Sequence, residues 1–230
     1  MALLKGAAAG VEHEKPLQNL GCRSVVDIGA NRGQFALAAH RSMPQTAIVS
    51  FEPLKEPAAI FRRVFSSHPN VSLHAVAIGP QDRDMTIHVS RADDSSSLLP
   101  IAPLQSNLFP GTEEKEQRTI RVRRLDSILD SRQIEQPALL KIDVQGFEKD
   151  VLEGCKSLLP CFSYIYVECS FMELYAGQAL AHEVVTMLDK CGFVLTGIYN
   201  LYYSRAGLAV QGDFLFTKKH QSTAKSGTHQ

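Results

Sequence analysis

The segment SVVDIGANRGQF, residues 24–35, constrains the fold more than any other part of the chain. An apolar run carrying one acid, Asp27, breaks at a turn containing Gly29 and Gly33; Phe35, Leu37, Ala38 and Ala39 then recur with helical spacing. A strand that is apolar on both faces must be covered on both, as in the parallel sheets of α/β proteins. The alternation continues downstream. AIVSFE (47–52) reads as a second strand, the face made by Ala58, Ile60, Phe61, Val64 and Phe65 as a second helix, and VSLHAVAI (71–78) as a third strand. Further on come a strand at ALLKID (138–143), a helix over FEKDVLEGCKSLL (147–159), a strand at YIYVEC (164–169) and a helix over AHEVVTMLDKCG (181–192). FVLTGIY (193–199) and DFLFTK (213–218) close the chain as strands. The expected fold is an α/β three-layer sandwich around a mostly parallel sheet, with the last strand antiparallel in a hairpin.

Between the third strand and residue 138 the rhythm changes. DMTIHVS (84–90) and RTIRVRR (118–124) alternate apolar with polar residues as half-exposed strands do, so a small β segment is expected to be inserted there, followed by a short helix at LDSILDS (125–131). Residues 1–20 lack periodicity and contain Pro16; they are expected to form an N-terminal arm with a short helix, ahead of one domain over 21–218 and a flexible polar tail over 219–230. One domain suits 230 residues of which 44% are apolar. With 24 basic against 24 acidic residues, the chain lacks the general field that draws proteins to nucleic acid or anionic membranes. Five cysteines without a CxxC pair read as reduced core thiols. MALLKGAAAG is too short and broken for a signal peptide, and no run reaches membrane-spanning length, so a cytoplasmic protein without stable membrane insertion is expected.

Ligands of open α/β sheets bind beyond the carboxyl ends of the strands. Asp27 and the turn from Gly29 to Gly33 lie at such an end; the glycines admit close backbone approach, and Asn31 tolerates a left-handed conformation. The second strand ends at Glu52, whose carboxylate can accept two hydrogen bonds from a ribose diol. That pairing points to a nucleoside cofactor. Dinucleotides use GxGxxG facing a pyrophosphate, whereas this turn is spaced GxxxG and preceded by an acid, which would repel a pyrophosphate and attract the ammonium of a methionine group. S-adenosylmethionine is the better match, with NAD as the rival.

The chain from about residue 24 to 218 resembles the FkbM-type family of S-adenosylmethionine-dependent methyltransferases, of the Rossmann-like class I fold. The matching stretches are VVDIGANRGQF, SFEP, AVAIG, VRRLDSIL, LLKIDVQGFEKDVLEG, YVECSF and GDFLF. The resemblance implies a seven-stranded sheet and methyl transfer, usually to a hydroxyl of a sugar, glycolipid or polyketide-type natural product. It implies that Asp27, Gly29, Asn31 and Gly33 surround the methionine part of the cofactor, that Glu52 holds the ribose, and that Ala77, Ile78 and Gly79 border the adenine. One departure is Gln145, an amide where members commonly show glutamate.

Alcohols are poor nucleophiles until deprotonated, so a positioned base is required. Asp143, ending the fourth strand, is the first choice and Glu168, ending the fifth, the second; Glu148 either serves as a third or favours the start of its helix through the dipole. Two carboxylates supply only part of a magnesium site, so no metal is assigned. His74 and His88 lie in strand-like runs and His182 begins an amphipathic helix, where a lone histidine reads as a packed or exposed side chain rather than a base, and His40 has no distinguishing context. Within DDSSSLLP (93–100), three successive hydroxyls read as contacts for the cofactor carboxylate or an acceptor sugar, or as an ordinary polar loop. The resemblance, whose members carry similar serine-rich turns, implies contacts at Ser96 and Ser97, and SNLFPGTEEKEQ (106–117) reads as a lid or a solvated turn. IYNLYYSRAG (198–207), with Tyr199, Tyr202, Tyr203 and Arg205, reads as the connection between the last two strands, available to a sugar or to cross-strand packing. The chain is thus expected to be an O-methyltransferase acting on a small-molecule or glycan acceptor; an NAD-linked oxidoreductase and a non-catalytic binding module are the alternatives.

Overall fold

The computed structural model describes residues 7, 8 and 10–219. Seven strands form one sheet: β1 (Ser24–Ile28), β2 (Ala47–Phe51), β3 (Val71–His74), β7 (Ala138–Ile142), β8 (Tyr164–Ser170), β9 (Phe193–Tyr203) and β10 (Ala209–Lys218). Their spatial order is β3-β2-β1-β7-β8-β10-β9. All neighbours are parallel except β10, which runs antiparallel to both β8 and β9. The chain leaves β1 in one direction and returns to β7 on its other side, so the connections diverge at the β1/β7 edge.

Side-chain alternation builds two cores from the central strands. Val26, Ile28, Leu140 and Ile142 face Val151, Leu152, Val184 and Leu188 of helices α5 (Glu148–Gly154) and α6 (Ala181–Lys190). Val25 and Leu139 face the opposite way, onto Phe35, Leu37, Phe61 and Val64 of α2 (Gln34–Ser42) and α3 (Lys55–Val64). Every residue of β1 and β7 is buried, which is why both read as nearly unbroken apolar runs. The N-terminal segment contributes a turn of 3-10 helix, Val11–His13, and the single turn α1 (Glu14–Leu17), whose Pro16 and Leu17 are buried. Of the tail expected over 219–230, only Lys219 lies within the described residues.

Three expectations change. The run 71–78 is not one strand: β3 ends at His74, and β4 (Ala77–Ile78) joins β5 (Arg83–Ser90) and β6 (Glu114–Arg123) in a separate three-stranded sheet of order β4-β6-β5. Its apolar face, Ile87, Val89, Ile120 and Val122, packs with Leu54, and this local core holds the insertion against the main domain. In place of one helix over 125–131 there are two separate turns of 3-10 helix, Leu125–Ser127 and Ser131–Gln133. Tyr199, Tyr202 and Tyr203 belong to β9 itself, so the connection to β10 is only residues 204–208. The segment 106–117, read as a lid or a solvated turn, holds the end of α4 (Pro103–Leu108), a connection and the start of β6.

Candidate functional site

The C-terminal ends of β4, β2, β1 and β7 line one cavity of about 260 Å³. In that order they contribute Ala77 and Ile78, then Glu52, then Gly29, Ala30 and Asn31, then Asp143, Val144 and Gln145. The insertion adds Ile87, Ser96, Ser97 and Leu98, and the N-terminal turn adds Glu12 and His13.

Backbone geometry shapes the β1–α2 turn. Gly29, Asn31 and Gly33 have φ of 78°, 44° and 94°, a left-handed sequence that glycine and asparagine tolerate best. The amides of Gly29 and Ala30 both donate to the Phe51 carbonyl, at 3.1 and 3.0 Å. The glycines also have packing reasons the sequence did not disclose. A Cβ on Gly29 would lie 1.8 Å from the Asp143 carbonyl oxygen, and one on Gly33 would lie 2.7 Å from the Phe65 ring. Gly33 does not line the cavity; it seats α2 on α3.

Glu52 is 6% exposed. Its Oε2 accepts from the Asn31 amide at 3.0 Å and its Oε1 from the Leu54 amide at 2.7 Å, leaving a lone pair on each oxygen for a ligand diol. Burial nevertheless pushes this carboxyl up to about 7, against the pull of the Leu54 and Asn31 amides.

Asp27 departs from expectation. It is fully buried and does not line the cavity. Strand register places Ser50, Asp27, Lys141 and Tyr166 side by side on the face under α2. Lys141 Nζ stands 3.3 Å from Asp27 Oδ1, 2.9 Å from the Gly29 carbonyl and 3.6 Å from Asp143 Oδ2, while Ser50 donates to Asp27 Oδ2 at 3.3 Å. Burial works against the Lys141 charge, but Asp27 and Asp143 outweigh it and hold the ammonium above its ordinary range. The positive partner of Asp27 is therefore inside the protein. Lys141 was missed in the sequence, although one lysine in the apolar strand ALLKI is a signal: a buried ammonium requires an acid, and the β1 residue in register is Asp27.

Asp143 faces the cavity with its side chain 35% exposed. Glu168 does not line it: Oε2 accepts from Gln145 Nε2 at 2.9 Å and Oε1 from Gln211 Nε2 at 2.8 Å. Burial, followed by repulsion from Asp143 and Asp213, raises the Glu168 carboxyl well above the usual range. Glu148 is buried, and its Oε1 accepts from the amides of Val144 (3.2 Å) and Gly146 (3.0 Å), which holds the turn after β7. Ser97 donates to the Gln145 carbonyl at 2.6 Å and accepts from the Leu99 amide, while Ser96 accepts from the Ser90 amide. Both serines therefore brace loops at the cavity wall. Ala77 and Ile78 lie on that wall, whereas Gly79, named with them in the sequence, does not line the cavity.

His13 is a second residue that the sequence did not single out. Its Nδ1 lies 3.2 Å from the Tyr166 hydroxyl and 3.5 Å from Asp213 Oδ2, and its ring meets Phe35 and Tyr166 edge-on. Tyr166 and Asn200 donate to the same Asp213 oxygen at 3.0 and 2.7 Å. The network ties the N-terminal turn to the sheet at the cavity mouth, and no local pattern in residues 1–20 announces it. Arg32, which does not line the cavity, pairs with Asp93, which does, with Nη2 2.7 Å from Oδ2.

The family model described as the methyltransferase FkbM domain matches residues 27–195. Among curated proteins, the chain is 29% identical over 174 residues to 2-O-methyltransferase NoeI of Sinorhizobium fredii, covering 72% of this chain and 71% of that one. It is 28% identical over 195 residues to the 31-O-demethyl-FK506 methyltransferase FkbM of Streptomyces tacrolimicus, covering 74% and 72%. Among solved structures, precorrin-6y C5,15-methyltransferase of Geobacter metallireducens superposes with a TM-score of 0.50 at 12% identity, covering 93% of this chain and 94% of that one, a likeness of fold alone. The matched region runs from the acid of the first strand through the ends of β2, β7 and β8, and on this basis the chain belongs to the FkbM methyltransferase family.

Proposed function

We propose that the protein transfers a methyl group from S-adenosylmethionine to a hydroxyl of a small-molecule or glycan acceptor. One observation carries the reading: from the inserted sheet across the ends of β2, β1 and β7 the cavity presents an apolar wall, a carboxylate with free lone pairs, a left-handed turn and a second acid. That order matches a purine, a ribose diol, an amino-acid tail and a reacting centre. Ile78, Ile87 and Leu98 would cover the purine and Glu52 would accept from the diol. Gly29 and Asn31 would border the tail, with Asp27 supporting them from beneath. When bound, the cofactor supplies an electrophilic methyl on a sulfonium.

The chain's own task is to align an acceptor oxygen, exclude water and take up a proton. Asp143 is the base in this reading, because of the two acids first considered it alone faces the cavity. The hydroxyl acceptor is favoured by relatives whose names state O-methyl transfer. Calorimetric titration with S-adenosylhomocysteine and NADH tests the reading: homocysteine-nucleoside binding lost in Glu52→Ala is expected, and binding of NADH alone would overturn it.

A further inference from the structure

Gln145 joins the two acids at the ends of β7 and β8. Its Nε2 donates one hydrogen to Asp143 Oδ1 at 2.8 Å and the other to Glu168 Oε2 at 2.9 Å. Its Oε1 lies 2.7 Å from the hydroxyl of buried Tyr175, which fixes the amide orientation: the reverse orientation would aim a carbonyl oxygen at two carboxylates. The backbone is equally constrained. Gln145 has φ of 57° and Gly146 of 98°, a left-handed pair in which a long side chain at the first position is disfavoured by about 1–3 kcal/mol. Ser97 clamps the Gln145 carbonyl at 2.6 Å, and a Cβ on Gly146 would come within 2.9 Å of Tyr175 Cβ, so the turn has little room to relax.

We infer that Gln145 is a positioning residue whose amide stands between Asp143 and Glu168 as a bridging divalent cation would, aiming Asp143 at the acceptor without a metal. The inference rests on the methyl-transfer reading for Asp143's role. Its physical basis is that two carboxylates at adjacent strand ends repel and need a positive or hydrogen-donating partner. Glu168 is held on its far side by Gln211, so the amide acts on Asp143 against a fixed anchor. Among the described residues, no three His, Cys, Asp or Glu side chains converge as cation ligands. Gln145→Glu would bring three carboxylates together and turn the bridge into a place for a cation.

Manganese titration of the full chain, followed by electron paramagnetic resonance, tests this without the acceptor. The wild type is expected to bind no stoichiometric manganese at Asp143, and Gln145→Glu to bind one ion at least about tenfold more tightly. With an acceptor identified by labelled-methyl incorporation, Gln145→Ala is expected to lower kcat on the order of 10²-fold. Its affinity for S-adenosylhomocysteine should stay within about twofold, and magnesium should restore turnover to Gln145→Glu only. Stoichiometric manganese on the wild type that Asp143→Asn abolishes, failure of Gln145→Glu to bind it, or wild-type kcat in Gln145→Ala would each overturn the inference. Loss of S-adenosylhomocysteine binding by the wild type would instead sink the methyl-transfer reading, and the manganese arm would still decide the amide's role.

Discussion

Asp27 and Asp143 end neighbouring strands and share Lys141, yet they belong to different regions of the molecule. Asp27 itself has no exposed surface and sits in a polar row between sheet and α2, reaching the cavity only through its partner Lys141, which lines it. Asp143, one strand over and past the strand's last residue, opens onto the cavity. The difference comes from pleat and position. In β1 the acid is the penultimate residue and points into the layer under α2, whereas in β7 that place is held by Lys141 and the acid lies two residues later, beyond the sheet. In this sheet the strand-end acids that open onto the cavity, Glu52 and Asp143, are those one residue past the last residue of their strands.

The largest effect that could break this comparison is on folding. Asp27→Ala removes the buried acid beside the Lys141 ammonium, leaving it half-exposed Asp143 and the Gly29 carbonyl, and is expected to destabilise the protein by up to about 3 kcal/mol, read as a lowered denaturation midpoint. A stable variant that merely lost cofactor affinity would put Asp27 in the cavity after all. Asp143→Asn is expected to leave stability and S-adenosylhomocysteine affinity nearly unchanged while turnover falls on the order of 10²-fold; unchanged turnover would remove it as the base.

A smaller effect sharpens the contrast through pH. Burial raises Glu52 and Glu148 from an ordinary 4.5 to about 7. The folded state therefore holds these protons more tightly than the unfolded chain. Stability contributed by them falls as pH rises from about 4.5 to 7, by roughly 1.4 kcal/mol per unit for each group. Ligand binding should run the other way, because a diol donates to the ionised form: affinity should rise up to about tenfold per unit below pH 7 and level off above it. Calorimetry across pH 5.5–8.5 (about three units) checks this, and a flat profile that Glu52→Gln does not alter would refute the assigned role. The smallest effect belongs to the surface: Arg32→Ala, removing a half-exposed pair with Asp93, should change stability by less than about 1 kcal/mol.

The sequence showed the parallel sheet because β1 and β7 are buried on both faces and leave nearly unbroken apolar runs. It hid the break at 75–76, since β3 and β4 are both apolar and only their partners, β2 and β6, distinguish them. Glu52 was legible as a strand-end acid. The positions of Asp27 and Glu168 were not, because each is decided by a neighbour in register or by a glutamine from another strand. Gly29 and Gly33 were recognised as turn residues, but the atoms that exclude a Cβ there, a carbonyl of β7's extension and a ring of the α3 end, come from distant sequence.

The shared position of Lys141 ties two kinds of fitness together. In many enzymes the groups that do chemistry are a burden on folding and can be relaxed separately from the scaffold. Here one side chain steadies both the inner row and the outward acid. If Asp143 is the base proposed above, a change at residue 141 would be felt in abundance and in turnover at once, because the outward acid cannot be retuned without disturbing the buried row beneath it.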